Sequence, residues 1–219
     1  MASTTHPLAL ADLRGFHDNK HLSDVTIFFS GRKVRAHKVV LCLASDYFQM
    51  TFSGRFVVKP SIRTRMKHRL IRACKESKSN EIELKEDDPD ALAGMLRHIY
   101  GLDPFEAVAA PGIYFDFRLY EVAGEYLLPN LQEKATASAK KKLEYKWNTP
   151  SFSDYVYSIY QQTAAHGGEL RQIAKDICRK HLPELMAKKE FKKVLLETPE
   201  LSLAIMQVVA REDVNHRSR

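Results

Sequence analysis

The sequence predicts an α+β protein: a small sheet made of an N-terminal β-hairpin plus a third strand, capped by helices and followed by an all-helical extension. Three observations predict it. Strand-period alternation on both sides of Ser30-Gly31 marks the hairpin. A second alternating run, around Ile82 and Leu84, leads directly into a capped and striped helix. From about residue 150 onward the apolar residues follow helical spacing alone.

Taken in order, Leu8, Leu10, Leu13 and Phe16 lie on a loose helical stripe, a short amphipathic helix ahead of the core. Val25, Ile27 and Phe29 then alternate with Thr26, Phe28 and Ser30, and after the Ser30-Gly31-Arg32 turn Val34 and Ala36 continue a second strand. Gly31 is free to take positive φ there. Helical spacing returns with Val39, Val40 and Leu43 on one face. Ser45 is placed to cap a second short helix in which Phe48 and Phe52 stand four residues apart, and Gly54 ends it.

Further on, Ile82 and Leu84 alternate with Glu81, Glu83 and Lys85 as a half-exposed strand. Asp88 and Pro89 open the next helix as N-cap and first residue, and Leu92, Met95, Leu96 and Ile99 form its core stripe. The stretch "PFEAVAAPG" is a connector. Phe115, Leu119, Val122, Ala123 and Tyr126 share one face of a helix that Pro129 breaks or follows with another, and that next helix ends in a basic turn suited to the macrodipole. Beyond "WNTPS", Phe152, Val156, Ile159 and Tyr160 form one stripe and Leu170, Ile173, Ala174 and Ile177 another, separated by Gly167-Gly168. Two more short helices fall around "PELMAKKEFKKVLLET" and "ELSLAIMQVVA", and the last residues fray. The expected organisation is an arm at 1–19, a domain at 20–145 and a helical extension at 150–212.

Hydrophobic residues make up 44% of the 219 and charged residues 28%, a globular composition with no membrane-length apolar run. The N-terminus carries no secretory pattern. Cys42, Cys74 and Cys178 are odd in number and far apart, which fits reduced thiols in a cytoplasmic or nuclear setting.

The net charge of +7 is concentrated in one place. Residues 57–75 hold seven Lys or Arg and no Asp or Glu, and without them 27 basic residues face 27 acidic ones. The excess is not spread over a face, as a nucleic-acid domain would have it, so nucleic acid is not the expected partner.

Ser23-Asp24-Val25 at the first strand, Ala36-His37-Lys38 with Leu41 and Ser45 at the hairpin-to-helix junction, and Tyr126-Leu127-Leu128 in a later helix occur in that order. In these motifs residues 20–140 resemble the BTB/POZ domain family, and 150–212 resembles the helical extension of short BTB proteins of filamentous fungi. The resemblance implies a small mixed sheet capped by helices. It also implies a non-enzymatic protein–protein interaction module that forms homodimers, docks on a scaffold, or both. Two alternatives stand beside that reading: a substrate adaptor of a cullin-based ubiquitin ligase, and a nucleic-acid-associated regulator using 57–75.

In the family pattern "TFSGRF" runs almost directly into "KESKSNEIEL", whereas 19 residues, Val57 to Lys75, intervene here. Two readings stand for them. One is a translated intron: valine codons begin with GT, a lysine codon can end in AG, and 19 codons make 57 nucleotides that keep the frame. The other is a basic loop that contacts phosphate or acidic partners.

The resemblance implies three groups of partner-facing residues. Leu10, Leu13 and Phe16 would be exposed on an isolated domain and buried between two copies. Asp24, partly buried beside His37 or Lys38, lies near the dimer groove. Tyr100, Phe105 and Glu106 belong to the loop region where some BTB proteins meet a cullin scaffold. No HExxH, CxxC, GxxxxGK[ST] or GxGxxG pattern occurs, so no catalytic site, metal or cofactor is expected. Cys178 and His181 stand three apart on one helix, where a cysteine more often serves as a small buried hydrophobe than as a nucleophile.

Overall fold

The computed structural model describes residues 10–53, 80–85, 87–162 and 168–207. Two compact units divide the chain: 1–111 together with 118–132, and 112–117 together with 133–219.

The first unit is built on a three-stranded sheet of order β2-β1-β3. Strands β1 (Val25–Phe29) and β2 (Arg32–Ala36) are antiparallel, with Val25 opposite Ala36 and Phe29 opposite Arg32. That register leaves a two-residue turn, in which Ser30 and Gly31 take φ of 46° and 76°. Positive φ at both positions matches the twist of the flanking strands, which is why glycine stands there. Strand β3 (Glu81–Glu83) runs parallel to β1, with Ile27 opposite Ile82, so the sheet is mixed as expected. Val25, Ile27, Phe29, Ile82 and Leu84 are buried on the sheet's inner face. Strand β2 buries only Ala36 and points Arg32, Lys33 and Arg35 at solvent, charges that discourage stray edge pairing.

Helices back this sheet. Helix α1 (Lys38–Ala44) passes through Ser45 into α2 (Asp46–Ser53). Ser45 caps α2, its hydroxyl accepting from the Phe48 N–H at 3.4 Å while donating to the Tyr126 carbonyl at 2.6 Å. Phe48 and Phe52 stack as their spacing predicts. Gly54 and the basic stretch 57–75 lie outside the described residues. Helix α3 (Pro89–Ile99) is capped by Asp88, whose Oδ1 accepts from the Asp90 and Ala91 N–H groups, and Leu92, Met95, Leu96 and Ile99 are all buried. It ends where Gly101 takes φ 74° and the Leu102 N–H reaches back to the Arg97 carbonyl at 2.9 Å.

The expected connector "PFEAVAAPG" contains a short 3-10 helix, Pro104–Ala107, because the Asp103 side chain accepts from the Phe105 N–H and Pro104 starts the turn. The N-terminal helix is likewise a 3-10 turn, Leu10–Phe16. Helix α4 (Ile113–Glu125) ends with Leu127 in the left-handed region at φ 56°, and Pro129 opens α5 (Pro129–Lys146).

The second unit is helical. It holds the first turn of α4, most of α5, then α6 (Phe152–Gln162), α7 (Gly168–Lys180), α8 (Leu182–Met186), α9 (Lys189–Glu197) and α10 (199–207). Phe152, Val156, Ile159, Leu170, Ala174, Leu185, Phe191 and Leu201 fill its core. Asp116 is fully buried here. Its carboxylate receives Lys142 Nζ at 2.8 Å and the Ser138 hydroxyl at 3.0 Å. No helix among the described residues is long and apolar enough to cross a membrane.

Candidate interaction surface

The start of α1 is where the sequence-predicted residues meet. His37 occupies the N-cap position with extended backbone, but its side chain makes no capping bond. Asp24 does that work from the strand beside it, Oδ1 accepting from the Lys38 N–H at 2.7 Å. Asp24 was expected to be partly buried, with His37 or Lys38 supplying its charged or hydrogen-bonding partner. It is exposed instead, and of the two expected partners Lys38 supplies the bond, through its backbone N–H; a carboxylate satisfied by an orphan helix N–H can stay in water. The Lys38 ammonium turns elsewhere, donating to Asn80 Oδ1 at 3.3 Å and lying 5.6 Å from the Phe52 ring centre.

His37 and Tyr100 are buried together. The His37 backbone N–H donates to the Tyr100 hydroxyl at 2.9 Å, and the His37 ring joins the Tyr100 hydroxyl through Nδ1 and the His21 carbonyl through Nε2, both at 2.9 Å. Burial pushes the Tyr100 phenol up to about 12, against the pull of the His37 N–H and with a further push from the Asp24 charge. Neither ring offers itself to a partner in this arrangement.

The arm residues also differ from expectation. Leu13 and Phe16 are half-buried rather than exposed; the Leu10 side chain lies outside the described residues. Phe16 packs edge-on to the His37 ring at 5.6 Å and stacks near His21 at 6.4 Å, since an aromatic beside an apolar–polar pocket is better covered by its own fold than by water. Arg14 Nε ties the arm to the Gly101 carbonyl at 3.0 Å. In the 3-10 turn, Phe105 is half-buried, while exposed Glu106 pairs with Arg97, whose Nε also donates to the Asp103 carbonyl.

Among the described residues of the first unit, the large exposed apolar side chains are Val39 and Leu43 on α1 and Leu22 ahead of β1. Val39 and Leu43, expected to share a face with Val40, are 64% and 84% exposed, while Val40 and Leu41 turn into the core. Positions i and i+4 lie on one side of a helix, so Val39 and Leu43 form an outward stripe. Leu22 is 73% exposed, on the chain whose neighbouring His21 carbonyl touches His37 at the start of the same helix. The sequence reading missed this stripe. Its only signal was that α1 carries four large apolar residues in seven positions, more than one narrow face needs.

The sheet order, the hairpin register and the capped α3 place these residues within one recognisable frame, and the BTB/POZ domain profile matches residues 13–143 of the chain. The chain belongs to the BTB/POZ domain family. Similar curated proteins include Kelch-like protein 7 of Homo sapiens, 30% identical over 104 residues, which is 46% of this chain and 15% of that protein. The Kelch repeat and BTB domain-containing protein A55 of Vaccinia virus (strain Western Reserve) is 25% identical over 93 residues, 42% of this chain and 13% of that protein. The match thus spans far less than two thirds of these relatives. BTB/POZ domains are protein–protein interaction modules.

Outside the BTB/POZ surface, Cys178 is fully buried and its thiol is pushed up to about 12 by burial. His181 stacks flat on Trp147 at 3.6 Å, so the two residues of the Cys178–His181 spacing have separate packing roles. Cys42 is half-buried, its thiol 3.7 Å from the Phe48 carbonyl and raised by burial and by the Asp24 charge, the opposite of what a reactive thiolate needs. Among the described residues no group of three His, Cys, Asp or Glu could hold a metal ion.

Proposed function

We propose that this BTB/POZ chain is a self-associating interaction module whose α1 stripe docks on a second copy of itself. The observation that carries the reading is the exposure of Val39 and Leu43, one turn apart on a helix whose other side completes the core. Large apolar side chains held out by a rigid helix mark a surface made to be covered, and a two-fold axis lets one stripe cover its own copy. Light scattering of the full chain tests it. The expected mass is twice 25.1 kDa at micromolar concentration, and a mass of 25.1 kDa throughout a dilution series overturns the reading.

A second reading is docking to a cullin scaffold as an adaptor. Its support is the family resemblance together with the 3-10 turn at Pro104–Ala107, which presents Glu106 at the surface and Phe105 part-way out. Co-purification of the chain with a cullin tests it, and absence of binding between the purified proteins removes it. The nucleic-acid reading rests on 57–75 alone. A salt slope of heparin or DNA binding that is unchanged by deleting 57–75 removes that reading.

A further inference from the structure

We propose that residues 13–22 form an acid-released latch, held against the core by a hydrogen-bond chain that only neutral His37 completes. The chain of bonds fixes the tautomer. A carbonyl can only accept, so the Nε2 that meets the His21 carbonyl at 2.9 Å carries a proton. In the neutral ring Nδ1 is then an acceptor. The Tyr100 oxygen already accepts the His37 backbone N–H, and its own proton goes to Nδ1. The buried Tyr100 hydroxyl thereby accepts one bond and donates one.

The latch segment closes over this point. Phe16 lies against the His37 ring, His17 meets the Tyr100 ring edge-on at 5.6 Å, and Arg14 holds Gly101 at the end of α3. A proton added at Nδ1 turns that nitrogen into a donor facing a hydroxyl that now has no acceptor for its own proton, in a place water does not reach. The bond to the His21 carbonyl no longer repays that loss, and the segment is the part free to leave.

The surrounding charges act in both directions. Arg97 opposes a proton on His17, whose pKa is lowered first by burial and then by that guanidinium, with Asp18 pulling the other way. On the strand side Asp24 favours positive charge, but its Oδ1 is occupied by the Lys38 N–H, as Asp18 Oδ1 is by the Arg35 N–H at 3.0 Å. Lys38 and Arg14 add positive charge at the rim, and His21 contributes its carbonyl. Release uncovers Leu13 and Phe16, so mild acid changes which apolar side chains the domain presents.

Amide hydrogen exchange of the full chain at pH 7.5 and 5.5, corrected for intrinsic rates, tests the latch. Protection across 13–22 is expected to fall on the order of tenfold at the lower pH while β1 keeps its protection. Equal protection at both values, or loss in β1 to the same degree, overturns the proposal. In Tyr100→Phe the segment is expected to be loose at both values, with little difference between them; a pH response as large as in the parent chain also overturns it. The tautomer is read independently of any variant, from imidazole 15N shifts at pH 7.5. Protonated Nε2 supports the latch, and protonated Nδ1 overturns it.

Discussion

Replacing Leu43 by alanine separates the outward stripe of α1 from the core beneath it. The substitution removes three side-chain carbons from a residue that is 84% exposed in the single chain. At about 0.8 kcal/mol for each buried CH₂, covering that surface contributes roughly 2 kcal/mol per copy. A two-fold interface uses the residue twice, so Leu43→Ala weakens the dimer by about 4 kcal/mol, close to a thousandfold in Kd. The fold itself loses little, since exposed substitutions away from special features usually stay within about 0.5 kcal/mol. Leu41, two residues earlier and fully buried, gives the opposite result: Leu41→Ala costs the monomer about 2–5 kcal/mol. Sedimentation equilibrium over a dilution series, paired with urea unfolding, reads both quantities. If Leu43→Ala dimerises within threefold of the parent chain, the α1 stripe is not the contact.

Three further outcomes are expected. Asp88→Ala removes the α3 cap and the 2.5 Å pairing with Arg118, lowering stability by about 1–3 kcal/mol in urea, while Asp88→Asn keeps most of it; equal losses would show that charge, not capping, matters. The buried Asp116 carboxyl sits above its ordinary range, because burial outweighs the help from Lys142 and Ser138. A raised carboxyl favours the fold when protonated, and that contribution is lost as pH rises through its folded value. Lys142→Met raises it further, so the variant loses about 3–5 kcal/mol at pH 7.5 and distinctly less at pH 4.5; a pH-independent loss contradicts this. Transcripts read across residues 57–75 separate the two readings of that stretch: messages lacking the 57 nucleotides support the intron, and a uniform message encoding all 19 residues ends the intron reading.

The sequence made the strands and capped helices legible because each has a local cause. Ser30-Gly31 fixes the hairpin whatever surrounds it, and Asp88-Pro89 starts α3 through bonds within one turn. The 3-10 geometry of Leu10–Phe16 and Pro104–Ala107 was not legible, since spacing alone does not tell a short 3-10 turn from a loop or an α-turn. Asp24 was identified with Lys38 among its two candidate partners, but the bonding atom, the Lys38 backbone N–H, was not legible. The sequence shows which groups can bond, whereas the register of Val25 against Ala36 decides which atom arrives. The roles of His37 and Tyr100 were the furthest from reach: 63 residues separate them, and only the fold makes one the acceptor of the other.

The α1 stripe shows where sequence reading and function diverge. A helix with Val39, Val40, Leu41 and Leu43 in seven residues is apolar on more than one side, and such a helix has two ways to be covered. Its own domain takes Val40 and Leu41 into the core. Val39 and Leu43 are left in water, at a free-energy cost the isolated chain does not recover. Apolar surface in excess of what a fold can bury is the physical form an interaction function takes in a sequence. It was visible here as composition before it was visible as a face, and assigning the face required knowing which two of the four residues the core had already used.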